Sequence, residues 1–180
     1  MKNIRWAIFA GVSAFAIYGM AQPSQKPVDL ANAVSGYKKW TAANKVPYFV
    51  NQVYYMLCRG MSAGEKAWVD KVDPFHGGYI KVWVNDIGKS AMFSGKPFPV
   101  GTVIVKDKQA GTTAPVNLST VMRKREKGYN PACGDWEFGV LDKDAKVTEQ
   151  GKIADCMDCH KGLPKQDFTF RRYVDKKQRL

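Results

Sequence analysis

The chain has 180 residues, 45% of them hydrophobic and 24% charged, and its 28 Lys+Arg outnumber 16 Asp+Glu for a formal net charge of +12. That balance supplies one hydrophobic core and excludes collagen-like, low-complexity and intrinsically disordered chains. Two histidines and four cysteines are too few for a zinc enzyme built on several histidine ligands.

Lys2 and Arg5 precede an apolar run from Trp6 to Met20, and Gly19 and Ala21 stand just ahead of Gln22 and Pro23. A short basic start, a brief apolar stretch and small residues at the cut read as a signal peptide over residues 1–21. The run is shorter than the roughly 20 residues of a spanning helix. Left uncut, it would serve as an N-terminal membrane anchor. The rest of the chain is then expected outside the cytoplasm, in a periplasm, where disulfides persist.

Residues 22–30 read as a polar linker, and residues 31–180 as one domain. Leu30, Val34, Tyr37 and Trp40 recur at helical spacing, which predicts a helix from Leu30 towards Asn44. Val46 to Leu57, with Pro47 near its start, predicts a second helix. Ser62-Ala-Gly-Glu65 has the form of a capping box and predicts a short third helix through Val69. After Pro74 the period changes. Tyr79–Asn85, Thr102–Asp107, Val116–Lys124 and Trp136–Leu141 alternate and predict four strands, the last ended by the turn Asp142-Lys-Asp144. Short connections favour antiparallel pairing. The fold class is therefore α+β: an antiparallel β-sheet with N-terminal helices and a C-terminal helix.

That last element rests on Cys156-Met-Asp-Cys159-His160. C-x-x-C-H is the attachment signature of a c-type haem. The two thiols add across the haem vinyl groups, and His160 is next in line to ligate the iron. One covalent haem c is the expected cofactor, with Cys156, Cys159 and His160 binding it and His160 as the metal ligand. A thioredoxin-like reading needs a βαβ context, and a zinc site would have to recruit Cys58 and Cys133. The opposite axial position can hold His, Met, Lys or nothing. His76 is the one other histidine, and Met56, Met61, Met92, Met122 and Met157 are the methionines beyond the leader. None stands out, so an open distal site is expected. Cys58 and Cys133 remain, and an even remainder in an exported chain predicts a disulfide between them.

The chain resembles the cytochrome P-460 family, which includes the cytochromes c′-beta. The resemblance rests on Phe98-Pro-Val-Gly-Thr-Val-Ile-Val-Lys106, on Gly134-Asp-Trp-Glu-Phe138, and on the haem signature with Asp167-Phe-Thr-Phe170 after it. Tyr79 to Met92 also fits, including Val84-Asn-Asp-Ile-Gly88. It implies a mostly antiparallel sheet, often a homodimer, with a proximal histidine. In cytochromes P-460 a sheet lysine bonds to a haem meso carbon and hydroxylamine is oxidised. In cytochromes c′-beta the link is absent, aromatic side chains cap the distal pocket, and nitric oxide or carbon monoxide binds. The matching lysine is Lys106, whose alternation alone would make it a solvated strand-end residue. The distal glutamate of the P-460 enzymes would fall near Ser119, Thr120 or Val121, none of which is a carboxylate. Glu126 and Glu137 lie nearby in sequence, expected in an exposed turn and at an outward strand position.

These residues support three functions: hydroxylamine oxidation, nitric oxide binding with Phe75, Tyr79, Trp83 and Phe93 as candidate pocket walls, and electron carriage with a six-coordinate haem. The excess of basic residues, dense at Arg171-Arg172 and Lys176 to Arg179, suggests an acidic redox partner or an anionic membrane surface. Export and a haem argue against nucleic acid.

Overall fold

The structure is a computed structural model, and it describes residues 29–50, 64 and 78–174. In chain order the elements are α1 (Leu30–Ala33), a 3-10 turn (Tyr37–Lys39), β1 (Thr41–Ala42), β2 (Tyr48–Val50), β3 (Gly78–Val84), α2 (Asp86–Ser94), β4 (Val103–Gln109), β5 (Val116–Lys124), β6 (Trp136–Leu141), β7 (Val147–Gly151) and α3 (Ala154–His160). The strands form one sheet in the order β1-β3-β4-β5-β6-β7, with β2 also on β3, and every pairing is antiparallel.

Alternation sorts the strands into two buried faces. The inner face carries Ile80, Val82, Val84, Ile104, Met122, Trp136, Phe138 and Val140, packed with Ala91, Met92 and Phe93 of α2 and with Ile153, Cys156 and Met157 at α3. The outer face carries Trp83, Val103, Val105, Val121 and Leu141, packed with Leu30, Val34 and Tyr37. A sheet covered on both sides explains why β6 is buried at every position.

The outer face also holds a polar seam. The Asp107 carboxylate, 3% exposed, accepts hydrogen bonds from Tyr37 Oη (2.8 Å), Trp83 Nε1 (2.9 Å) and Ser119 Oγ (2.6 Å). Three donors satisfy a buried carboxylate that would otherwise be costly. Burial in turn pushes the Tyr37 hydroxyl pKa up.

The strands Val116–Lys124 and Trp136–Leu141 lie where the alternation places them, and β3 and β4 lie within two residues of expectation. The N-terminal third differs. Leu30, Val34 and Tyr37 do share one buried face, yet Gly36 at φ +68° breaks the expected helix after one turn. Thr41–Ala42 and Tyr48–Val50 are strands, not helix, because both pair with β3. Of the third expected helix Gly64 alone is described, and it is helical. Two elements were not expected. α2 is capped by Asn85, whose side chain accepts from Gly88 N at 3.1 Å. β7 adds a largely exposed edge strand. The leader and most of the linker lie outside the described residues, as do Cys58, Phe75 and His76. Among the described residues no helix is long and apolar enough to cross a membrane.

Leu30 is fully buried between α1 and the sheet. Leu30→Ala should cost about 2–5 kcal/mol through the cavity it leaves. Urea unfolding checks this, and an unchanged midpoint would show that α1 does not contribute to the core.

Candidate functional site

α3 begins after the buried Ile153, and Asp155 in its first turn suits the positive helix end. Cys156 and His160 stand four residues apart, so they share one face, and both are buried at 7% and 8% exposure. Cys159, one turn from Cys156, is exposed. Burial pushes the Cys156 thiol up to about 11; the Glu149 carboxylate adds to the shift and the Lys106 ammonium opposes it. The thiol is thus protonated at neutral pH.

The His160 ring lies between two aromatic rings, Phe138 at 5.3 Å and Phe170 at 5.2 Å between centroids. Its Nδ1 is 2.6 Å from the Phe168 carbonyl. A carbonyl can only accept, so Nδ1 carries the proton and Nε2 is the nitrogen available in chemistry to an iron. Two thiols and an oriented imidazole on one helical turn fit a haem c.

The carbonyl belongs to a strained strap. Asp167 (φ +51°) and Phe168 (φ +58°) are consecutive left-handed residues. For a bulky side chain this conformation costs about 1–3 kcal/mol and persists only where the surroundings impose it. Here they do. Phe168 N donates to Leu163 O at 2.8 Å. The Phe168 ring occupies the space where a Cβ on Gly134 would lie, 2.4 Å from Phe168 Cδ2, so only glycine fits there. Asp167 Oδ2 accepts from Phe98 N (2.7 Å), Oδ1 takes the Lys124 ammonium (2.6 Å), and the Asp167 carbonyl accepts from Trp136 Nε1 (2.9 Å).

Lys106 is half-buried on the inner face, not solvated at a strand end. It stands in register with Val82 on one side and Thr120 on the other, and the row continues to Val140 and Glu149. Thr120 therefore occupies the inner-face position at which the family resemblance would put a distal carboxylate. Ser119 and Val121 point to the outer face. Of that row only Glu149, exposed on the edge strand β7, is a carboxylate.

Glu137 faces outward as expected but is buried there rather than solvated. It is 3% exposed and paired on the outer face with Arg123 Nη2 (2.5 Å) and Arg125 Nη1 (3.0 Å), while Glu126 is exposed as expected. Tyr79 and Trp83 alternate onto the outer face and do not wall an inner pocket, whereas Phe93 packs on the inner cluster. Met92 and Met122 both belong to that inner cluster. Cys133 is buried with Sγ 3.7 Å from Met157 O, and its expected partner Cys58 lies outside the described residues. Arg171, at the start of the basic end, packs into the fold: its guanidinium lies 4.4 Å over the Phe98 ring and donates to Lys96 O at 2.9 Å, and burial lowers its pKa. An open cleft of about 340 Å³ beside Lys81, Trp83 and Asp107 lies on the face opposite α3 and is lined by none of Cys156, Cys159 and His160.

A family model described as Cytochrome P460 matches residues 35–171, which span the sheet, α3 and the strap. The chain belongs to the cytochrome P460 family. Haem is the cofactor this family brings, and the family resemblance read from Phe98–Lys106, Gly134–Phe138 and the C-x-x-C-H segment holds. No curated protein matches the chain.

The residues that sequence reasoning missed are Asp167, Lys124 and Gly134. Asp167 was visible as part of a motif, but its partners are 43 and 69 residues away. Glu137→Gln should destabilise this cytochrome by about 3 kcal/mol, because it removes a counter-charge from buried Arg123. Denaturant unfolding measures it, and a loss below about 1 kcal/mol would place Glu137 outside the structural core.

Proposed function

We propose that this cytochrome is an exported, mono-haem c-type protein with an open distal site that binds nitric oxide. Cys156 and Cys159 would hold the haem through thioethers, and His160 Nε2 would ligate its iron. A haem supplies one-electron redox chemistry and a coordination position on the side away from His160. The observation that carries the reading is the inner-face row: Thr120, not a carboxylate, stands beside Lys106 in β5. Removing protons from hydroxylamine needs a base within hydrogen-bond reach. Capture of a small uncharged ligand needs none, and the aliphatic and aromatic inner face favours it.

The second reading is hydroxylamine oxidation with Lys106 joined to the haem, and the half-buried inner-face position of Lys106 favours it. Electrons would then leave to an acidic redox protein attracted by the basic surface, at rates that fall with ionic strength. Periplasmic location, the Cys58–Cys133 disulfide and a homodimer complete the proposal.

The absorption spectrum of the purified ferrous protein tests it, with and without nitric oxide, in the natural chain and in Lys106→Met. A high-spin c-type spectrum that changes with nitric oxide and survives Lys106→Met is expected. A strongly red-shifted Soret band that is lost in Lys106→Met, together with hydroxylamine turnover, would replace it by the second reading. Sharp low-spin bands that ignore nitric oxide would overturn the open site and leave an electron carrier.

A further inference from the structure

We propose that Asp167 is the positioning residue that locks the His160 imidazole, acting through the Phe168 carbonyl. The inference rests on the reading of His160 as the iron ligand and deepens it.

Three separate parts of the fold converge on Asp167. Its carboxylate takes the Phe98 N–H from the segment before β4 and the Lys124 ammonium from the end of β5, and its carbonyl takes the Trp136 indole N–H from the start of β6. Both members of the ion pair are largely buried, at 13% and 12% side-chain exposure, so bulk water screens it little. The Lys124 ammonium also lies 4.9 Å over the Trp136 ring, which fixes the cation from a second side. Asp167 is thus held by backbone, charge and indole at once.

The next residue is the one that matters to His160. Phe168 keeps its left-handed backbone, and in that conformation its carbonyl reaches Nδ1 at 2.6 Å. A bulky residue does not hold this conformation by itself. Released from its three anchors, the strap would relax and the carbonyl would draw away from the ring. A short acceptor contact at Nδ1 raises the basicity of Nε2 and fixes the ring about its own bond to the chain. Asp167 therefore tunes how strongly His160 donates to iron, without touching the ring or the haem.

The test uses the haem-loaded full chain, with Asp167→Ala and Lys124→Met as variants. The readouts are the iron–histidine stretching frequency of the ferrous protein by resonance Raman, and the reduction potential. Both variants should lower the frequency and raise the potential, because a looser carbonyl weakens donation from His160. The pair removes opposite charges, so a purely coulombic role would move the two potentials in opposite directions. Opposite shifts, or unchanged frequencies, overturn the proposal. Loss of covalent haem from both variants also overturns it, in favour of a folding role. A natural chain that carries no covalent haem overturns the reading beneath it instead, which keeps the two failures distinct.

Discussion

A strand covered on both faces has to sort every residue it carries, and β4 does so between adjacent charges. Lys106 and Asp107 are neighbours in sequence and stand on opposite sides of the sheet. Asp107 goes outward to three hydrogen-bond donors beneath α1. Lys106 goes inward, to the face that carries α3 and the C-x-x-C-H segment. A one-residue slip would exchange them, burying an unpaired carboxylate beside the cysteines. The same sorting sends Glu137 outward to Arg123 and Phe138 inward to the His160 ring. The polar chemistry that stabilises the sheet and the aromatic chemistry that surrounds the imidazole are thereby kept apart.

The inner face alone does not orient His160. That depends on the strap after α3, which is strained at Asp167 and Phe168 and is held by partners distant in sequence. The sheet supplies the anchors, and the short helix carries Cys156, Cys159 and His160. This division suits a site in which the helix must present thiols and an imidazole to one large planar group, while the imidazole itself must not turn.

Much of this was legible in the sequence where the signal is local. Cys156, Cys159 and His160 lie within five positions, so the C-x-x-C-H spacing is recognisable without any knowledge of the fold. Val116–Lys124 and Trp136–Leu141 read as strands because β-branched, aromatic and aliphatic residues recur in short runs bounded by turn residues. What could not be read depends on partners. Leu30, Val34 and Tyr37 show helical spacing, and one residue, Gly36, decides that no long helix forms. Tyr48–Val50 is a strand because β3 offers it an edge. β7 has Val147 as its only large apolar residue and so lacks a periodic signal. Asn85 was a readable cap for α2, but Gly88 and the polar residues around it masked the helix. Alternation separates Tyr79 and Trp83 from Val82, yet it does not tell which face meets α3. Asp167 is the furthest from legibility: its role exists only once Phe98, Lys124 and Trp136 are brought together.

The central claim is that the inner face and α3 hold one haem through Cys156 and Cys159, with His160 as its ligand. The most direct measurement is the intact mass and peptide map of the protein, purified from a host that attaches haem c. The account predicts the mass of the chain plus one haem, located on the peptide that contains Cys156 and Cys159. A chain of unmodified mass, with both thiols open to alkylation, would contradict it.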